Sequence, residues 1–250
     1  MKKTLLSVSV ALGLTLGASA QAFFEAVTFT GAFAPTGTSY TAKIEGGFSE
    51  TFSTGDWTTG WANWFPNFVA YAAPDANNIV SGDIISDRSI SGNVKLQGTV
   101  HVTNGATLTI AAGTVIRAGL GATLIIAKGS KISAVGTSSN PIVFTSEKPV
   151  GQRQPGDWAG ILLIGNSQVN TANGTRQYEA LPSDPLALYG GGRGGSLNTA
   201  DNSGEMRFVR IEFAGYNYLP DQELNGLTLG AVGSGTKAVS YTHLTLPTNR

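Results

Sequence analysis

Residues 105–134 read GATLTIAAGTVIRAGLGATLIIAKGSKISA, and the second half nearly repeats the first. Laid over one another, 105–118 and 121–134 agree at nine of fourteen positions, among them Gly105/Gly121, Leu108/Leu124, Ile110/Ile126, Gly113/Gly129 and Ile116/Ile132. Within each copy apolar and polar residues alternate in short runs, the period of a strand with one buried face. Each run stops at a Gly, which turns a corner at positive φ without steric penalty. Short strands with equivalent residues in equivalent places are the pattern of a solenoid whose coils stack. If the 16-residue offset is one coil, Leu108 lies over Leu124 and Ile110 over Ile126 as ladders inside a parallel β-helix. A sandwich or a propeller has no need of near-identical phrases so close together.

The alternation extends on either side. Val94/Leu96, Val100/Val102 and Ile142/Phe144 are i, i+2 apolar pairs, and GDWAGILLIGN (156–166), EMRFVRIEFAG (205–215) and LNGLTLGAVGSGT (224–236) read as further rungs, the last with Leu227 and Leu229 inward. Two long polar stretches, Ser167–Pro185 and Gly190–Gly204, are expected to be loops thrown out from one side. Composition agrees with an all-β protein: 33 of 250 residues are Gly and only 13% are charged. Sixteen basic residues balance sixteen acidic ones with no dense basic stretch, which argues against a nucleic-acid partner. The lack of Cys excludes disulfides, thiolate nucleophiles and Cys-bearing zinc sites.

The ends differ from the middle. Residues 1–20 have the parts of a signal peptide: Lys2 and Lys3, an apolar run from Leu5 to Leu16, and Ala18-Ser19-Ala20 before a cleavage point at Gln21. The run is shorter than the ~18–20 residues that span a bilayer, so the expectation is Sec export to the periplasm, outer surface or medium rather than integral insertion. Residues 21–80 are expected to form an N-terminal segment and cap, and 81–238 the helix. The last twelve residues, VSYTHLTLPTNR, lack Gly and alternation and resemble the in-frame translation of a sequencing adapter. On that reading the natural sequence is cut short near Ala238, and His243 carries no functional argument.

Taken together, NGATLTIAAGTVIRA (104–118), NPIVFTSEKPVGQRQPGDWAGILLIGN (140–166), DNSGEMRFVRIEFAG (201–215) and ELNGLTLGAVGSGT (223–236) resemble the exported right-handed parallel β-helix proteins of Bacteroidota. That resemblance implies the fold and a secreted or cell-surface life, sometimes with a C-terminal sorting domain; it carries no catalytic residues.

Candidate sites follow from residue chemistry. DWTTGWANWFPNFVAY (56–71) places Trp57, Trp61 and Trp64 just before the first rung. Their indoles suit stacking on sugar rings, but their place just before the first rung favours a cap over the solenoid's open end. Arg210 and Glu212 alternate with Val209, Ile211 and Phe213 and so share the outer face of one strand, as an acid/base pair or as an ordinary surface ion pair. Asp157, Asp201 and Glu205 are further carboxylates for a hydrolase or lyase, which needs two carboxyls about 5–10 Å apart in a cleft. Asp221, Glu223 and Asn225 offer oxygen ligands to Ca²⁺, the one cofactor the sequence suggests, though a full site needs about six to eight. His101, between Val100 and Val102, is expected to be outward and solvated. The function expected is a non-catalytic scaffold with adhesion to cell-surface components or glycan binding; the alternative is a polysaccharide-degrading lyase or hydrolase.

Overall fold

The computed structural model describes residues 39–44, 48–53, 61–63, 65–192, 198–219 and 222–244. The expected signal peptide, Trp57, Trp64 and Asp221 lie outside the described residues. The chain divides into two compact units, Met1–Ala62 and Asn63–Arg250. In the first, β1 (Ser39–Ile44) and β2 (Phe48–Ser53) pair antiparallel, with Ile44 opposite Phe48.

The second unit is a right-handed parallel β-helix of three faces. Its strands run β3 (Ile79–Val80), β4 (Arg88–Ile90), β5 (Asn93–Leu96), β6 (Thr99–Val102), β7 (Thr107–Ile110), β8 (Val115–Ala118), β9 (Thr123–Ile126), β10 (Lys131–Val135), β11 (Ile142–Ser146) and β12 (Gly160–Ile164). A long excursion carries the antiparallel pair β13 (Arg176–Gln177) and β14 (Leu188–Tyr189). The chain re-enters as β15 (Gly204–Glu212), forms the pair β16 (Asn217–Leu219) and β17 (Gln222–Glu223), and ends the described coils with β18 (Leu227–Gly230) and β19 (Lys237–Leu244). The first face stacks β3, β5, β8, β11 and the C-terminal half of β15; the second stacks β6, β9, β12 and β18; the third stacks β4, β7, β10 and the N-terminal half of β15. β15 covers two faces because Phe208 takes φ 50° and bends the strand between Arg207 and Val209. β19 follows β15 along both halves, from Lys237 opposite Glu205 to Leu244 opposite Glu212.

The register corrects the coil length. Leu108 pairs with Ile132, not Leu124, and Leu124 pairs with Val100 and Ile161. Strands β7 to β10 begin at residues 107, 115, 123 and 131, so one face takes eight residues and one coil 24. The 16-residue offset moves β7 onto β9 and β8 onto β10, two faces along instead of one coil up. What repeats is the face with its corner. Thr103–Ala106, Ala111–Thr114, Gly119–Ala122 and Ala127–Ser130 each close a four-residue turn by a backbone hydrogen bond. Gly105, Gly113, Gly121 and Gly129 hold the third position at φ 65–79°. The residue that follows each Gly is small and buried: Ala106, Thr114, Ala122 and Ser130. Every corner makes that local demand, whichever face it joins.

Inside the bore, Val94, Ile116, Phe144 and Ile211 form one ladder and Val100, Leu124 and Ile161 another, each side chain giving about 1.5–3 kcal/mol on burial. Leu227 and Leu229 stand in register over the bore residues Ile161 and Leu163, the inward side, and Leu227 packs against this core while Leu229 remains about half exposed. A second core lies outside the bore. Ile125, Leu162 and Ile164, on the outer faces of β9 and β12, are buried with Tyr178, Ala180, Ala187 and Leu224. The stretch 167–185 is thus not thrown outward: it folds back as a cover, and Lys128 Nζ donates to Gly190 O at 2.7 Å at its edge.

Gly204 tests the packing between coils. It sits at φ 111°, and a Cβ there meets Ile132 O at 1.9 Å, whereas one on Gly105 meets nothing within 4 Å. Gly204→Ala is expected to cost about 2–4 kcal/mol in urea denaturation and Gly105→Ala about 1–2 kcal/mol. Equal losses would contradict the close approach.

Candidate functional site

On the first face, Lys95, Arg117 and Thr145 stand in register on the outer side of β5, β8 and β11. Glu212 continues that row, one residue beyond the paired Phe144 and Ile211, with Arg210 opposite Val143. Alternation with the core residues Val209 and Ile211 thus turns Arg210 and Glu212 outward, as the sequence implies. Burial corrects the surface ion pair: Glu212 is 0% exposed.

Two segments make the cover. Tyr71, after a 3-10 turn at Pro66–Phe68, donates its hydroxyl to the Glu212 carboxylate at 2.9 and 3.1 Å and accepts from Arg210 Nη2 at 2.7 Å. Arg210 Nε lies 3.3 Å from Glu212 Oε1. The connection from β11 to β12 supplies Arg153, whose guanidinium lies 5.1 Å over the Tyr71 ring. Arg153 Nη1 donates to Pro66 O and Val69 O, and its Nε to Lys148 O, joining the two segments. Trp158 stacks on Phe144 in the core and donates Nε1–H to Glu212 O at 2.7 Å. Burial pushes the Glu212 carboxyl above its ordinary range, opposed first by the charge of Arg210. Burial and the Glu212 charge push the Tyr71 phenol well above its own.

Asp157 has a separate task. Its buried carboxylate accepts from Ser146 Oγ at 2.6 Å, Lys148 Nζ at 2.6 Å and Gln154 N at 3.0 Å, fixing the connection that carries Arg153. Asp201 is buried against Ser203, and Glu205 lies 3.8 Å from Arg207. Both Glu212 and Asp157 are thus withdrawn from water and held by protein donors, not set across a cleft.

The open part of the same row is a groove of about 210 Å³ lined by Pro74, Asp75, Ile79, Lys95, Arg117 and Glu147. Lys95 Nζ lies 3.0 Å from Glu147 Oε2, and Arg117 Nη2 donates to Glu147 O at 2.5 Å and Lys148 O at 3.1 Å. Sequence reasoning missed this groove, although the outward positions flanking Val94/Leu96 and Ile116/Ala118 already carried the two cations.

The other expected sites do not converge on it. Trp61 is fully buried and offers no indole face to a sugar, while Phe65 and Phe68 are largely exposed. Asn225 is exposed, and Glu223 is placed by its backbone in β17. No group of three or more His, Asp or Glu among the described residues is arranged to hold a metal ion. His101 points outward as expected, partly exposed, but its ring is paired on both sides: its Nδ1 lies 2.9 Å from Asp83 Oδ1 and its Nε2 2.8 Å from Asp184 Oδ2. Among the described residues no helix is long and apolar enough to cross a membrane.

Three stacked faces, Gly corners and a loop-covered outer row define a parallel β-helix. The model of the pectate-lyase-like β-helix domain family matches residues 82–245, and the chain belongs to that family. No curated protein and no solved structure matches it.

The Tyr71–Arg210–Glu212 cluster is expected to hold the covers down. Tyr71→Phe removes the carboxylate's donor and is expected to cost about 1.5–3 kcal/mol in urea denaturation. Because the folded carboxyl binds its proton more tightly than the unfolded one, stability falls as pH rises from the unfolded value through the folded one. Denaturation from about pH 4 to 7 is expected to show that fall in the parent protein and to lose it in Glu212→Gln.

Proposed function

We propose that the protein is an exported, cell-surface or secreted β-helix module that binds a glycan without cleaving it. The observation that carries this reading is the division of the outer row: the groove at Lys95, Arg117, Asp75 and Glu147 is open, while Glu212 is sealed. The groove's side chains are held in place by one another and by backbone carbonyls, so little entropy is lost when they meet a ligand. Cations and carboxylates within one groove suit the hydroxyls and charged substituents of a polysaccharide, through charge-assisted hydrogen bonds. Export is supported by the basic start, the apolar run and the Ala18-Ser19-Ala20 site, and by the resemblance to exported proteins of Bacteroidota. The family's description, pectate-lyase-like, favours polysaccharide cleavage as the second reading.

A panel of neutral and acidic polysaccharides separates the two. Binding without release of sugar is expected, weakened about tenfold or more by Lys95→Ala with Arg117→Ala and left intact by Glu212→Gln. Release of unsaturated or reducing sugar, lost in Glu212→Gln, would overturn the binding reading.

A further inference from the structure

The cover over β9 and β12 is pinned by a histidine between two acids. His101 lies on the second face beside Ile125, in register with it, and its ring projects outward under the excursion that follows β12. Asp83, just before the bridge residue Ile84, meets one ring nitrogen, and Asp184, from the cover, meets the other. These two carboxylates are the charged groups that act on the ring among the described residues; Ile125 beside it on β9 is apolar. Asp184 is well placed to transmit what happens there. Its Oδ1 caps Leu186 N at 2.9 Å, its carbonyl accepts from Gln177 Nε2 and Ala187 N, and Ala187 is fully buried in the second core.

A neutral imidazole has one donor and one acceptor nitrogen. With an ionised carboxylate at each nitrogen, only the imidazolium satisfies both contacts; the neutral ring sets a lone pair against a carboxylate oxygen. We propose that His101, Asp83 and Asp184 form a pH-sensitive clasp that holds the 178–190 cover closed over Ile125, Leu162 and Ile164 while the ring is protonated, and loosens it when the proton leaves. Burial alone lowers the imidazole pKa, but hydrogen bonds and charge from Asp184 and Asp83 outweigh it and leave the value above the ordinary 6.5. A raised folded value means the clasp's stabilisation is complete below about 6.5, the unfolded value, and is lost as pH rises through the folded one. The exposed product is an apolar sheet face, not an unfolded chain, since the bore's core is separate.

The chain has two histidines, His101 and His243, so the His101 ring can be followed by NMR during a pH titration of the whole protein. A midpoint above that of a free histidine is expected, lowered by Asp184→Asn. Amide exchange of residues 178–190, corrected for intrinsic rates, is expected to be several-fold faster above the midpoint than below it, with the bore strands β7 to β10 unchanged. In His101→Gln this acceleration should disappear. An unshifted midpoint, or the same pH-dependent exchange in His101→Gln and in Asp184→Asn, would overturn the clasp.

Discussion

Each coil of this helix leaves its backbone N–H and C=O groups pointing along the axis, and they are satisfied only if the next coil arrives in register. From β7 to β10 that requirement is met by an eight-residue face, and where the spacing is longer, before β11 and β12, the extra residues go into the connections so that the strands still pair in register. The same requirement fixes the corners. A chain that must change direction three times per coil needs a tight turn at each corner, and positive φ at Gly105, Gly113, Gly121 and Gly129 supplies it at low cost. Where β15 passes from the third face to the first with no Gly, Phe208 takes the left-handed conformation itself, a strain the paired coils on either side sustain.

The fold class was legible because strand period and corner glycines are local, written within a few residues of one another. The stacking was not. Leu108 and Leu124 look like partners because both follow a Gly-Ala-Thr corner, yet the residues actually paired, Leu108 with Ile132 and Val100 with Leu124, share only apolar character. A corner constrains identity strongly, since few residues fit its backbone; the bore constrains it weakly, since Val, Leu, Ile and Ala all fill a rung. Sequence likeness therefore tracks corners, and counting it as a measure of coil length picks the wrong period.

The outer surface was legible by direction only. Alternation turned Arg210, Glu212 and His101 outward correctly, but could not tell that other segments come back to cover them. The differences between the copies held that information. Thr109 becomes Ile125 because β7 faces solvent there while β9 meets the second core, and Ala112 becomes Lys128 where an ammonium reaches the carbonyl of Gly190. An apolar residue at an outward strand position is the sign of a cover, and ILLI in β12 is the stronger example, apolar on both faces.

One row of outward side chains then divides two kinds of work. At Lys95 and Arg117 the row is open, its charges turned toward a groove; at Glu212 the same row is closed by Tyr71. The two ends are mechanically joined, because Arg117 and Arg153 both hold the carbonyl of Lys148, and Arg153 also holds the turn that carries Tyr71. A carboxylate removed from water is a poor place for solvent-borne chemistry but a good place to anchor a loop, since its hydrogen bonds are strong in low dielectric and leave no alternative partner. The sealed end thereby stiffens the wall of the open end: the carbonyl of Lys148, which Arg117 grips from the groove, is also held by the Arg153 that ties down the cover.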